Sequence, residues 1–160
     1  MKLPPNGLQR RPHGPGDEWV YGENGEKFWG SFGAAGLLVW HRPRGVLLQH
    51  RAIWSHFGGT WGLPGGALKP NEGAIDGAMR EANEEAGVDP QVLRVMFSTV
   101  LDKQVWTYTT VVVEAMTEFE PVIGDAESVA LAWVPLADVE KLPLHPGFGA
   151  SWVDLRSRLV

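Results

Sequence analysis

The stretch from Gly66 to Val88 reads GALKPNEGAIDGAMREANEEAGV and carries the strongest helix signal in the chain. Asn71 belongs to the residue types that favour the N-cap position, and Gly87 favours the left-handed conformation in which helices end. The pattern therefore predicts a helix from Glu72 to Ala86. Helical spacing places on one side of it the apolar residues Ile75, Met79, Ala82 and Ala86, and we expect that side to face the core.

Another side of this predicted helix is acidic and carries Glu81, Glu84 and Glu85. Each like-charge pair at helical spacing costs an isolated helix about 0.2–0.5 kcal/mol, and the helix macrodipole disfavours anions near the C-terminus. A solvated acidic face is the common alternative, but the only basic residue of the helix is Arg80. Hard divalent cations prefer carboxylate oxygens, so converging glutamates without histidine or cysteine indicate Mg²⁺, with Mn²⁺ as the alternative.

The spacing of the fixed residues in this stretch is more specific than its charge. Five residues separate Gly66 from Glu72, seven more precede Arg80, and the run from Arg80 to Val88 reads REANEEAGV. The stretch fills every fixed position of the pattern G-x5-E-x7-R-E-U-x-E-E-x-G-U, in which U is aliphatic. It thereby resembles the signature of the Nudix hydrolases, and WGLPG at residues 61–65 is similar to the lead-in usual in that family.

This resemblance implies an α+β fold in which a mixed β-sheet is sandwiched between helices, an α/β/α arrangement. It also implies that a divalent cation, bound at a central loop–helix–loop, assists hydrolysis of a nucleoside diphosphate linked to another group. The positions that match metal ligands of the family are Gly66, through its carbonyl, and Glu81, Glu84 and Glu85. Glu72 and Arg80 match residues that brace the loop and orient these glutamates, and they complete the expected catalytic set.

The rest of the chain predicts mainly β-strands around the helix. One hairpin joins Leu37–Trp40 to Val46–Leu48, and a second pairs residues 92–100 with 105–114. A further strand is expected over 129–134, a short helical turn over 135–139 and a helix over 148–159. Residues 1–18 combine proline, glycine and arginine without apolar periodicity, which predicts a flexible arm before a single Nudix domain over residues 19–160.

The composition excludes several classes of protein. The length of 160 residues suits one domain, and the net charge of −5 argues against binding nucleic acid in bulk. The chain has no cysteine, which excludes disulfides, thiolate metal sites and a catalytic thiol and makes a reducing cytoplasm the expected location. Because no apolar run is long enough to span a bilayer and no secretory signal is visible, we expect no membrane partner.

Residues outside the signature are candidates for the remaining roles. We expect the general base to be Glu81 or Glu85. Glu127, on a later loop, is the alternative base and a candidate further metal ligand. Arg51 precedes the loop that leads into the signature and is a candidate phosphate clamp. Aromatic faces stack on bases, which makes Trp106 and Tyr108 candidate nucleotide-binding residues. For each of these residues, the alternative is an ordinary structural position on the surface or in the core, without a role in binding or catalysis.

The substrate is predicted by elimination. Family members that act on ADP-ribose usually carry a proline shortly beyond the signature, and here none lies between Pro90 and Pro121. Hydrolases of diadenosine polyphosphates usually carry a tyrosine there, and Tyr108 lies too far along. We therefore expect a MutT-like enzyme that cleaves a (deoxy)nucleoside triphosphate to monophosphate and pyrophosphate. ADP-ribose, a dinucleoside polyphosphate or a nucleotide sugar is the alternative substrate, a non-catalytic nucleotide sensor is the alternative function, and a homodimer is left open.

Overall fold

The structure is a computed structural model in which residues 12–159 are described. The strands in this part of the chain are β1 (Trp19–Tyr21), β2 (Lys27–Trp29), β3 (Ala34–His41), β4 (Gly45–Arg51), β5 (Trp61–Gly62), β6 (Gly65–Ala67), β7 (Leu93–Asp102), β8 (Thr107–Ala115) and β9 (Ser128–Val134). The α-helices are α1 (Ala74–Ala86) and α2 (Pro146–Ser157). Turns of 3₁₀ helix cover Pro90–Val92 and Leu136–Lys141.

A mixed sheet forms the centre of the fold. Its strands run in the order β5-β4-β3-β8-β7, with β6 beside β3 and β9 beside β4. Both predicted hairpins are confirmed, since β3 pairs with β4 and β7 with β8, each antiparallel, whereas β3 and β8 are parallel. Only the ends of β3 and β4 pair with each other, and β6 occupies the same edge of β3 further along. Gly65 and Gly66 of β6 therefore pair with β3, the central strand of the sheet.

Helices cover both faces of the sheet. On one face, the alanines of α1 pack against alternate residues of β3 and β8, among them Leu37, Val39, Val111 and Val113. On the other face, Trp152 and Leu155 of α2 pack with Leu38 and Val112 of the same two strands. These two cores confirm the α/β/α arrangement and explain why β3 is buried along nearly its whole length. Neither helix in residues 12–159 has the length and apolarity needed to cross a membrane.

A small hairpin that the sequence did not predict precedes the sheet. Strands β1 and β2 pair with Trp19 opposite Trp29, and the ring of Phe28 stacks on Trp106 with centroids 4.7 Å apart. Residues 1–11 of the predicted arm lie outside the described residues. Residues 12–18 are tied to this hairpin, because the buried Gly16 accepts a hydrogen bond from the backbone of Ser31 at 3.0 Å. A domain boundary at residue 19 stays a prediction.

Helix α1 begins later than predicted. Gly73 is its N-cap, whereas Asn71 has φ of 64° and forms a left-handed turn, so the predicted cap was wrong. Glu72 lies in this turn and accepts a hydrogen bond from the backbone of Lys69 at 3.1 Å. The predicted end is confirmed, because Gly87 adopts φ of 66° and its N–H donates to carbonyls of the last turn.

The buried side of α1 also differs from the prediction. Ile75 is 44% exposed, while Ala78 takes the place expected for it in the core. Glu81 and Glu85, expected on an acidic side, are only 5% and 2% exposed. Alanines make the contact with the sheet, so the helix lies close to it and both carboxylates are buried beside β6. The acidic side of the sequence pattern is therefore largely an interior surface.

Candidate active site

Arg80 forms hydrogen bonds with one carboxylate in the loop before α1 and with two carboxylates on the helix. Its guanidinium donates to both oxygens of Glu72, at 2.8 and 2.9 Å, and to Glu81 and Glu84 at 3.0 and 3.3 Å. A further bond reaches the carbonyl of Ala67 at 3.2 Å. The hydrogen bond from Arg80 lowers the pKa of Glu72, and the same bond raises that of Arg80. The loop and the helix are thus joined by one planar cation, which matches the predicted bracing role.

Glu81 lies against a glycine that leaves no room for a side chain. A Cβ placed on Gly66 would be 2.7 Å from the carboxyl carbon of Glu81 and 2.8 and 2.9 Å from its oxygens. The absent side chain lets the carboxylate lie directly beside the backbone of β6. The geometry therefore places the buried carboxylate of Glu81 against the backbone of Gly66, the residue predicted to offer a carbonyl ligand.

Glu85 is the most deeply buried of the helix glutamates, and polar groups of two strands reach it. Its Oε2 accepts hydrogen bonds from the backbone N–H of Gly65 at 2.9 Å and from the side chain of Gln49 at 3.5 Å. The spacing of residues within the helix did not indicate Gln49. A signal was present in the sequence, however, because Gln49 interrupts an apolar strand after Val46, Leu47 and Leu48.

A second source of carboxylates comes from the loop before β9. One oxygen each of Glu85, Asp125 and Glu127 lie within 4.8 Å of one another, and Asp125 is 1% exposed. Gly124 N–H donates to the carbonyl of Glu85 at 2.9 Å, and Ala52 N–H donates to that of Glu127 at 2.7 Å. The structure thus brings Glu127 to the helix as the sequence suggested. It also adds Asp125, two residues before Glu127, which the sequence pattern did not indicate.

The predicted substrate-binding residues lie in different surroundings. Arg51 uses its Nε to donate to the carbonyl of His56 at 3.0 Å, so part of the guanidinium holds the following loop. Trp106 has one ring face against Phe28 and donates its N–H to the carbonyl of Trp29 at 3.1 Å, which leaves less of it for a base than expected.

Tyr108 lies across the backbone of β3. A Cβ on Gly36 would overlap the hydroxyl of Tyr108, so the glycine makes room for the ring. Burial raises the pKa of this phenol well above its usual range, the charge of Glu85 adds to the shift and Arg51 opposes it. The hydroxyl therefore remains a hydrogen-bond donor at all working pH values.

The donor set of the site fits a hard divalent cation. Glu85, Asp125 and Glu127 offer carboxylate oxygens that lie close together, Glu81 offers a further buried carboxylate against Gly66, and cysteine is absent from the chain. Such ligands suit Mg²⁺ or Mn²⁺ better than Zn²⁺, which favours nitrogen and sulfur. Glu84 is the most exposed of the three helix glutamates and bonds Arg80 at 3.3 Å, and its role as a metal ligand stays a prediction.

Comparison with known proteins places this arrangement in a family. Residues 31–155 match the NUDIX domain. A Mycobacterium tuberculosis protein named "Putative 8-oxo-dGTP diphosphatase 3" is 47% identical over 163 residues, which cover 96% of this chain and 75% of the relative. The crystal structure of RenU, a Nudix hydrolase from M. smegmatis, superposes with a TM-score of 0.82 at 47% identity and covers 90% of this chain and 95% of that one.

A more distant structure shares the fold with a ligand bound. The NUDIX domain of Shewanella oneidensis NrtR, solved with ADP ribose, has a TM-score of 0.63 at 25% identity and covers 83% of this chain and 91% of that one. The family match itself spans the central sheet and every carboxylate described above. The chain therefore belongs to the Nudix family of hydrolases.

Proposed function

We propose that this Nudix hydrolase cleaves nucleoside triphosphates to monophosphate and pyrophosphate with the help of Mg²⁺, and that an oxidised purine nucleotide such as 8-oxo-dGTP is among its substrates. The observation that carries the proposal is the carboxylate cluster of Glu85, Asp125 and Glu127, together with the buried Glu81 one helical turn before Glu85, which lies against the glycine backbone of β6. The name of the 47% identical mycobacterial relative supports the choice of nucleotide.

In this proposal the protein mainly positions charge. These carboxylates would hold Mg²⁺, which when bound would offset the charge of the phosphate oxygens and lower the pKa of a nearby water. Hydrolysis would join a water oxygen to a phosphorus of the bridge between the α- and β-phosphates and break the bridging P–O bond, so that monophosphate and pyrophosphate separate. A carboxylate of this chain would take the water proton. Glu81, Glu85 and Glu127 are the candidate acceptors. Arg80 donates to one oxygen of Glu81 at 3.0 Å, so part of that carboxylate is already engaged.

Substrate contacts are assigned from the groups around the glutamates. Arg51 supplies positive charge near the site and is proposed to contact a phosphate through the nitrogens that do not bond His56. Tyr108 lies near the charges of Glu85, Glu81 and Arg51, and is proposed to donate its hydroxyl to the nucleotide. Trp106 is proposed to offer its remaining ring face to the base.

The test is product-resolved hydrolysis of a nucleotide panel with Mg²⁺. GTP, dGTP, 8-oxo-dGTP, ADP-ribose and a diadenosine polyphosphate are incubated with equal enzyme, and the products are separated by mass. Glu85→Gln is run in parallel as the contamination control. Monophosphate and pyrophosphate from a triphosphate, fastest with 8-oxo-dGTP, are expected. Turnover limited to substrates other than triphosphates, or none at all, would overturn the proposal.

ADP-ribose is the second candidate substrate. The 25% identical NrtR domain was solved with ADP ribose. ADP-ribose and nucleoside triphosphates share a diphosphate linkage, so a cation held by the same carboxylates would bind either substrate. In that case the products would be AMP and ribose phosphate without pyrophosphate, so the panel separates the two candidates. The absence of cysteine and the proposed nucleotide substrates support a cytoplasmic location. A homodimer remains a proposal that sedimentation of the full chain would test.

A further inference from the structure

Gln49 is a buried amide that neither the signature nor the proposed chemistry uses. It lies on β4, where the five residues from Gly45 to Gln49 are all buried, and its own exposure is 2%. Burying a polar group without partners costs about 1–3 kcal/mol, so the partners of this side chain indicate its role.

The amide of Gln49 bonds two groups of the candidate site. Its Nε2 donates to Oε2 of Glu85 at 3.5 Å and to the hydroxyl of Ser128. A carboxylate can only accept, so the amide must present its NH₂ end to this side. Gly65 N–H donates to the same Oε2 at 2.9 Å. Two donors on one oxygen set the rotation of the Glu85 carboxylate about its last bond.

Ser128 links Gln49 to the loop before β9, which carries Asp125 and Glu127. It is fully buried, opens β9 and directly follows Glu127, whose carbonyl accepts a hydrogen bond from Ala52 at 2.7 Å. Gln49 therefore joins the helix that carries Glu85 to the segment that carries Asp125 and Glu127. We propose that Gln49 is a positioning residue, which holds the Glu85 carboxylate and this segment in the relative placement that binds the cation. The inference rests on the proposed metal-binding role of Glu85.

A double-mutant cycle on metal affinity tests the inference. Mn²⁺ binding is titrated by electron paramagnetic resonance for Gln49→Leu, Glu85→Gln and the double variant, with thermal unfolding as the folding check. Loss of a residue that orients a metal ligand costs about 10-fold or more in affinity. We expect Gln49→Leu to weaken Mn²⁺ binding by about 10-fold on the wild-type background, but by less than about 2-fold when Glu85 is already replaced.

Two further variants keep the test decisive. Gln91→Leu removes an exposed glutamine and is expected to bind Mn²⁺ like the wild type. Ser128→Ala removes the other partner of Gln49 and covers the case in which Gln49→Leu does not fold, and it should weaken binding in the same background-dependent way. An equal loss on both backgrounds, or none, would overturn the inference. If Glu85→Gln itself left Mn²⁺ binding unchanged, the proposed metal site would be the part that fails.

Discussion

Replacing Gly66 by alanine should reduce activity far more than stability. The added Cβ would lie 2.7 Å from the carboxyl carbon of Glu81, whereas ordinary contacts of this kind begin at 3.4 Å. The carboxylate must therefore retreat by about 0.7 Å. Displacements near 1 Å at a catalytic group can cost about 10²-fold in rate. We expect kcat to fall by about 10- to 100-fold, which corresponds to about 1.4–2.7 kcal/mol of transition-state stabilisation.

The effect on stability should be small for two reasons. The displaced group is the end of a side chain, which can move without shifting the backbone. Alanine also loses less backbone entropy on folding than glycine, a gain of about 0.5–1 kcal/mol that offsets part of the strain. The free energy of unfolding is expected to change by less than about 1 kcal/mol.

The assay pairs steady-state hydrolysis with thermal unfolding, and Gly73→Ala is the matched control. A Cβ on Gly73 meets nothing within 4 Å, and its backbone is extended with φ of −74°. This variant should keep nearly full activity. If Gly66→Ala retained wild-type kcat, or if both variants lost activity equally, the placement of Glu81 against β6 would not matter for catalysis.

Three further predictions concern charge. Arg80→Ala removes the bonds to Glu72, Glu81 and Glu84. The free energy of unfolding should fall by about 2 kcal/mol, and hydrolysis should need a higher Mg²⁺ concentration to saturate. Unchanged unfolding would contradict the bracing role. Glu85→Gln should lower kcat about 10²-fold while unfolding stays near wild type, and a fully active variant would refute the site. Burial, then the charges of Arg51 and His56, lower the pKa of His145 to about 4, so its stabilising effect is complete above pH 6.5 and is lost as the pH falls towards 4. His145→Asn keeps a cap acceptor, and its unfolding temperature should fall less between pH 6.5 and 5 than that of the wild type; equal falls would contradict this assignment.

The parts of the fold that local pattern controls could be predicted. Gly87 ends α1 through its own backbone conformation, and the apolar composition of β3 and β8 predicts both strands. The start of α1 could not be placed in this way, because Glu72 is engaged by Lys69 and Arg80 in a turn before the helix. The capping preference of Asn71 was outweighed by those contacts.

The identity of the site was visible in the sequence, but its burial and its extension were not. Helical spacing places Glu81 and Glu85 together, yet only the approach of β6 shows that they face inward. The partners of Glu85 lie far away in the chain, since Gln49 comes from β4 and Asp125 from the loop before β9. Such contacts depend on how the strands are arranged, which residue periodicity cannot encode.

The measurement that tests the central claim most directly is hydrolysis of 8-oxo-dGTP as a function of Mg²⁺ concentration, for the wild type and for Glu85→Gln. The buried carboxylates predict no turnover without the metal, saturation as it is added, monophosphate and pyrophosphate as products, and a loss of about 10²-fold in the variant. Turnover that persists without a divalent cation, or that survives the loss of the Glu85 charge, would contradict the proposal that this cluster is the catalytic metal site.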